Sequence, residues 1–350
     1  MIVLKYIDFT QPIGTFYFSK INAQLLGSIV ETTPRSGSSS AIQRDESITR
    51  INEIAKYCDD PDATFPTPII ISVYDNVDYE INDSTIVFSK QTIIGEVIDG
   101  QHRLKGIIKS NLAEKFDLPI VLLFDLTEEE KAYIFSIINS KQTKVSMSLI
   151  YDLFALSRHR SPQKTSHEIA RALNNDGKSP FFNRLKMLGN KTSEQFHATL
   201  SQGTFVKHFI ELLSKSPDED LRNSKNNLEL KPNENLPLRQ YFIDNEDSII
   251  LKITLNLFRG LRNVFYNLWE NPDDNILWKT TGYFAIIKAF NHLYLKGDSM
   301  NDLSEEFFTH QFRIFKEHLE QNNLRLTSED FPSNAQQQAR LSKILIESIK

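Results

Sequence analysis

Ile93-Ile94-Gly95-Glu96-Val97-Ile98-Asp99-Gly100-Gln101-His102-Arg103-Leu104 is the stretch on which the reading of this chain turns. Residues 93–98 are apolar enough for a buried strand, and residues 104–110 suit a helix. The polar run Asp99-Gly100-Gln101-His102-Arg103 therefore sits between a strand and the helix after it. Backbone N–H groups at a helix start point outward and attract anions, phosphate above all. Gly100 lets the chain turn sharply and lets a ligand approach the backbone. Arg103 offers a planar fork that matches phosphate oxygens. His102 can donate to a phosphate or move a proton near neutral pH. Asp99 suits a Mg²⁺ ion or the orientation of a water, and Gln101 can read a base or sugar. The plainer alternative stays open: Asp99 as a helix cap, Arg103 paired with a surface carboxylate and His102 packed on the loop.

Outward from this turn, the N-terminal part alternates strand and helix signals. Residues 15–18 are β-prone, and residues 36–40, Ser-Gly-Ser-Ser-Ser, read as a loop. Ile48, Ile51, Ile54 and Ala55 recur at helical spacing, predicting a helix over 47–57. Pro66 and Pro68 stop any helix before a strand at 69–74, and further strands fall at 85–88 and 119–124. Thr127 and Glu130 form a capping-box pattern that opens a helix reaching about 138. Beyond Ser148 the signal is almost wholly helical, with stripes at 149–156, 205–213, 248–269, 281–295, 305–320 and 335–349. Residues 214–237 are polar and read as a long loop. The fold class expected is α+β: a mixed α/β domain over 1–152, then an all-helical domain over 153–350.

Bulk properties narrow the function. A chain of 350 residues exceeds one typical core. Net charge is −5, which excludes the broad basic field of a non-specific nucleic-acid binder but not a local basic patch. The single cysteine, Cys58, rules out an internal disulfide and argues against a cysteine-built zinc site. It ends the apolar face of its helix, which suggests a structural role. The N-terminus lacks the pattern of a signal peptide, and no long apolar run predicts a membrane span, so a cytoplasmic protein is expected. His159, His167 and His197 lack metal-ligand spacing. No Walker-type loop and no nucleophile elbow occurs. The basic cluster Arg158-His159-Arg160-Ser161-Pro162-Gln163-Lys164 is read as a solvated loop, with DNA contact as the alternative.

The run Asp99–Arg103, with Leu104 and Gly106, resembles the signature of the DGQHR-domain proteins. These are similar to the DndB proteins of DNA phosphorothioation clusters and the DpdB proteins of 7-deazaguanine clusters, within the ParB/sulfiredoxin superfamily. Further segments agree: Gln43-Arg44 with Arg50 and residues 51–57, Phe65-Pro66-Thr67-Pro68-Ile69-Ile70, and residues 135–145. The resemblance covers about residues 10–155 and continues more weakly at Ser179-Pro180-Phe181 and at residues 279–283.

The resemblance implies a ParB/sulfiredoxin-like N-terminal fold whose Gly-x-His-Arg turn holds nucleotide phosphates. It puts Asp99, His102 and Arg103 in catalytic positions and Asp99 on the metal. Gln43, Arg44, Gly100, Gln101, Asn139 and Gln142 become nucleotide-binding candidates, although Arg44 equally suits a surface ion pair and Asn139 a helix C-cap. The implied cofactor is ATP or another nucleoside triphosphate with Mg²⁺. The implied role is a nucleotide-binding accessory of DNA modification, with ATP hydrolysis as the enzymatic form. A DNA-binding transcriptional regulator of the modification cluster is the alternative. Implied partners are DNA or DNA-modification proteins, with a homo-oligomer through the helical domain also open.

Overall fold

The computed structural model describes residues 1–32, 47–89, 93–140, 146–189, 198–272 and 275–349. The chain divides into two units, Met1–Thr143 and Lys144–Lys350. The first is a mixed α/β unit and the second is helical, as the sequence pattern implies.

In the first unit the strands are β1 (Ile2–Gln11), β2 (Gly14–Asn22), β3 (Val30–Glu31), β4 (Ile69–Val73), β5 (Tyr79–Asn82), β6 (Thr85–Phe88), β7 (Gly95–Asp99) and β8 (Asp117–Leu123). Among the described residues they form one sheet in the order β3-β7-β4-β8-β2-β1-β6-β5. The pairs β3/β7 and β4/β8 are parallel and the others antiparallel. The helices are α1 (Ala23–Ile29), α2 (Ile48–Tyr57), α3 (Gln101–Lys109) and α4 (Glu128–Ser140). β8 shows why a continuous apolar run reads as a central strand. Leu118, Ile120 and Leu122 face a core shared with Leu26 of α1 and Leu104 and Ile107 of α3. Val121 and Leu123 face the opposite core, closed by Ile134 of α4. Both faces of the strand are buried, so no polar alternation survives.

Local chemistry sets the helix starts. Ser47 caps α2 by accepting the N–H of Arg50 at 3.3 Å. The capping box at α4 forms: Thr127 Oγ1 accepts the Glu130 N–H at 3.3 Å, and Glu130 Oε2 accepts the Thr127 N–H at 2.8 Å. Those bonds hold the Glu130 carboxyl below its ordinary pKa. Cys58, the residue after α2, is buried, and burial pushes its thiol pKa up, as suits a structural side chain.

The second unit contains α5 (Met147–Leu153), α6 (Pro162–Asn175), α7 (Gln202–Phe209), α8 (Pro217–Lys225), α9 (Arg239–Ile243), α10 (Asp247–Val264), α11 (Tyr266–Glu270), α12 (Thr280–Ser299), α13 (Glu305–Gln321) and α14 (Ala335–Ser348), with the short parallel pair β9 (Leu185–Lys186) and β10 (Leu200–Ser201). Its core is aromatic. Phe181 meets the edges or faces of Phe205, Phe258, Trp269 and Trp278 at 4.7–5.7 Å between ring centres. The indole N–H groups are satisfied by Pro180 O at 3.2 Å and Trp269 O at 2.8 Å.

Two sequence expectations change here. Residues 214–237 are not one loop, because they contain α8. Asp220 of that helix is buried and forms a bidentate pair with Arg239, which fixes a helix too polar to show an apolar stripe. The helix expected over 248–269 is broken at Phe265, whose backbone leaves the helical region at φ −111° and ψ 37°. The apolar stripe continues into α11, so spacing alone conceals the break.

His167 on α6 is fully buried, and Gln202 bonds its Nδ1. Burial lowers its pKa from the ordinary 6.5, with Asp152 opposing and Arg171 assisting. His208 is lowered by burial too, against the pull of Glu211. Above the unfolded-state value both folded and unfolded forms are neutral and stability is complete. Below it the unfolded chain gains protons the folded chain refuses, so stability falls as pH falls toward the folded-state value. The urea midpoint should therefore drop between about pH 7.5 and about pH 5.5. His167→Gln should flatten that slope, and an unchanged slope would contradict the assignment.

Candidate functional site

The site grows from the end of β7. Pairing of β4 with β7 shifts register between Ile70 and Ile71: Ile71 faces Val97, whereas Ile70 faces Asp99. Ile98 is thus the extra residue of a bulge, the usual device for re-aiming a strand end. Gly100 follows with φ 97° and ψ 8° and serves as the N-cap of α3 without a side-chain cap. That φ strains any L side chain, so the turn favours glycine by conformation; a Cβ there would meet only the end of the Ile69 side chain, 2.5 Å away. The helix begins at Gln101, earlier than its apolar pattern suggests, since its first turn is polar. Its first turn is the run Gln101-His102-Arg103 that the sequence singles out.

The second wall comes from α2, which packs tightly on α3. A Cβ at Gly106 would sit 2.5 Å from Ile54, so this glycine permits the close crossing. Lys109 Nζ also donates to Asn52 Oδ1 at 2.6 Å across the same pair. This approach brings Arg50 and Glu53 to a hollow of about 450 Å³ also lined by Asp99, Gly100, Gln101, His102 and Arg103. Ile54, Ile98, Phe65 and Phe135 supply its apolar surface.

Arg103 is anchored by Nη1, which donates to Thr67 O at 2.5 Å and Pro68 O at 3.2 Å. Burial lowers its pKa from the ordinary value; Asp99 opposes this and the Arg50 charge adds to it. Among the described residues its Nε and Nη2 make no hydrogen bond, and neither does the Arg50 guanidinium. Two guanidinium groups thus share one hollow with donors to spare, an arrangement suited to an anion. His102 Nε2 accepts the Ser47 N–H at 3.0 Å. That contact ties the start of α2 to the turn and leaves Nδ1 as the ring nitrogen that can carry a proton.

The structure therefore brings Asp99, Gly100, Gln101, His102 and Arg103 together on one hollow. Asn139 lies in the last turn of α4, and only its backbone is described. Gln43, Arg44 and Gln142 lie outside the described residues. Arg50, Glu53, Phe65 and Phe135 line the hollow without having been assigned a role from sequence. Their signal was present: all four fall in the segments that carry the family resemblance. Among the described residues no group of three or more His, Cys, Asp or Glu side chains gathers to hold a metal. In the basic cluster near Arg160, Arg158 and His159 are exposed in a bend, as a solvated loop would have them, whereas Arg160 and Lys164 are engaged within the unit. Arg160 makes a bidentate pair with Asp247 at 2.5 and 2.6 Å and lies over the Phe242 ring. Lys164 donates to Ser157 O at 2.6 Å. No described helix is long and apolar enough to cross a membrane.

Comparison with known proteins gives one family model, described as DndB, DNA-sulfur modification-associated, which matches residues 4–234. No curated protein matches the chain. Among solved structures, the chain is similar to the C-terminally truncated chromosome-partitioning protein ParB from Caulobacter crescentus, complexed with CTP-gamma-S. The identity is 10%, the TM-score 0.31, and the overlap covers 65% of this chain and 86% of that one.

Gly100→Ala tests the turn directly. The left-handed backbone opposes it, so a loss of roughly 1–3 kcal/mol in unfolding free energy is expected from denaturant titration. A variant as stable as the parent would contradict the conformation assigned to Gly100.

Proposed function

Since the chain belongs to the DndB family of DNA-sulfur modification-associated proteins, we propose that its first unit binds a nucleoside triphosphate with Mg²⁺ in support of that modification. The observation that carries this reading is a hollow at the start of α3 that holds the unspent donors of Arg50 and Arg103. The first-turn N–H groups and the two guanidinium groups take the phosphate oxygens. Phe65 and Phe135 offer apolar surface to a base or ribose. The hollow, about 450 Å³, lies within the roughly 300–1,000 Å³ of ordinary ligand sites.

The residues present fit the metal as well. Mg²⁺ bound with phosphates takes one or two carboxylates and keeps several waters. Asp99 and Glu53 are the carboxylates lining the hollow. When bound, the ion would neutralise phosphate charge. The protein's own part is to bind and orient: Arg103, held by two backbone carbonyls, presents its free edge, and Asp99 orients a water or the ion's hydration shell. Hydrolysis is the enzymatic form of this proposal. Gln43, Arg44, Gln101, Asn139 and Gln142 complete the proposed nucleotide contacts, and His102, beside them on the hollow, stabilises charge.

Titration calorimetry with each of the common ribonucleoside triphosphates, with Mg²⁺, tests the reading. At least one should bind, and Arg50→Ala should weaken it about tenfold or more, the worth of one charge-assisted hydrogen bond. Arg50 is exposed, so its loss should leave the fold intact. Phosphate release that disappears in Asp99→Ala would add hydrolysis. Absence of binding to every triphosphate would end the proposal.

A further inference from the structure

Helix α2 starts on a cap that is only half built from its own residues. Ser47 Oγ accepts the Arg50 N–H at 3.3 Å, and Ser47 O accepts the Ile51 N–H at 3.1 Å. In a complete capping box the third helical residue answers: its side-chain oxygen accepts the N–H of the cap residue itself. Thr127 and Glu130 close that circuit at α4, where Glu130 Oε2 accepts the Thr127 N–H at 2.8 Å. In α2 the third helical residue is Arg50, whose guanidinium only donates. The first turn of α2 holds no acidic residue either, so Arg50 adds a cation where the helix dipole is already positive. Arg50 also shares the hollow with Arg103. Burial lowers the Arg103 pKa, Asp99 opposes this, and the Arg50 charge lowers it further, the mark of two cations set side by side. Arg50 thus suits an anion and does not suit the helix start that carries it. The Ser47 N–H nevertheless finds an acceptor. His102 Nε2, in the first turn of α3, takes it at 3.0 Å.

We propose that His102 completes the cap of α2 from α3, and is thereby a positioning residue that holds Arg50 on the hollow. The imidazole fixes the Ser47 N–H, the Ser47 hydroxyl fixes the Arg50 N–H, and the guanidinium extends from that residue. The oxygen that a capping box keeps at position 50 gives way to the cation an anion site needs, and the acceptor moves to another helix. The other ties between α2 and α3 lie further along. Lys109 reaches Asn52 at 2.6 Å, and Gly106 seats against Ile54, both beyond Arg50. They set the crossing of the two helices, whereas the His102 contact sets the end that carries Arg50. This role is separate from any contact between the imidazole and a phosphate. The capping stands on the hydrogen bonds alone; its consequence for affinity rests on the nucleotide reading of the hollow.

Amide hydrogen exchange on the full chain without ligand, read at Ser47 and Arg50, tests the capping. In His102→Ala both amides should exchange about fivefold faster, the usual worth of a cap contact. His102→Gln offers an amide oxygen in place of Nε2 and should keep the parent rate. Arg50→Glu rebuilds the box within α2, so adding His102→Ala to it should leave the Ser47 amide protected. Calorimetry with inorganic triphosphate then reads the consequence. His102→Ala should weaken binding about fivefold, and less than about twofold when Arg50 is already alanine. If His102→Ala fails to fold, His102→Phe, which keeps a ring and lacks the acceptor, carries the test. Exchange at Ser47 that ignores the loss of His102 overturns the proposal. So does a loss of affinity from His102→Ala that is as large without Arg50 as with it. A parent chain that binds no triphosphate ends the nucleotide reading, and the exchange rates still decide the capping.

Discussion

The left-handed backbone at Gly100 resists any side chain, and the site depends on that constraint. Ile69 presses against the position a Cβ would take, and the backbone there is left-handed. The helix that follows consequently starts without a capping side chain at its N-cap. A serine or aspartate at this position would cap the first turn from within the chain, as Ser47 does for α2. The bulge at Ile98 and the close packing of Gly106 on Ile54 then decide what faces the open helix end: a wall carrying Arg50 and Glu53.

Much of this was legible in the residues, for reasons that differ between elements. The strand at 119–124 and the helix at 47–57 declare themselves through burial, one on both faces and one along a stripe. The capping box at Thr127 and Glu130 is local chemistry and needs no tertiary context. The gathering of Asp99, Gln101, His102 and Arg103 followed from their position between strand and helix. The anchoring of Arg103 on the carbonyls of Thr67 and Pro68 did not, because it joins segments distant in sequence. The His102–Ser47 contact was hidden for the same reason. Helix α8 escaped notice because what fixes it is a buried ion pair with Arg239. Periodicity records apolar burial and is blind to such pairs.

The second unit explains two fainter segments of family resemblance. Phe181, in Ser179-Pro180-Phe181, is the ring around which Phe205, Phe258, Trp269 and Trp278 pack. Tyr283, in residues 279–283, is buried and donates its hydroxyl to Phe205 O at 3.0 Å. Burial raises the phenol's pKa well above its ordinary value, so it stays a donor. These residues mark the framework of the helical unit, whereas Asp99–Arg103 mark a surface able to meet a ligand.

The strand order has a consequence for how the first unit comes into being. β2 sits beside β8, with Tyr17 opposite Leu122 and Asn22 opposite Asp117. The middle of the sheet is thus closed by segments about a hundred residues apart, a high contact order that slows folding. During synthesis the β1–β2 hairpin emerges long before β8 exists to pair with it. For that interval both its apolar face and one strand edge are open to wrong partners, so this hairpin is where a chaperone has most to protect.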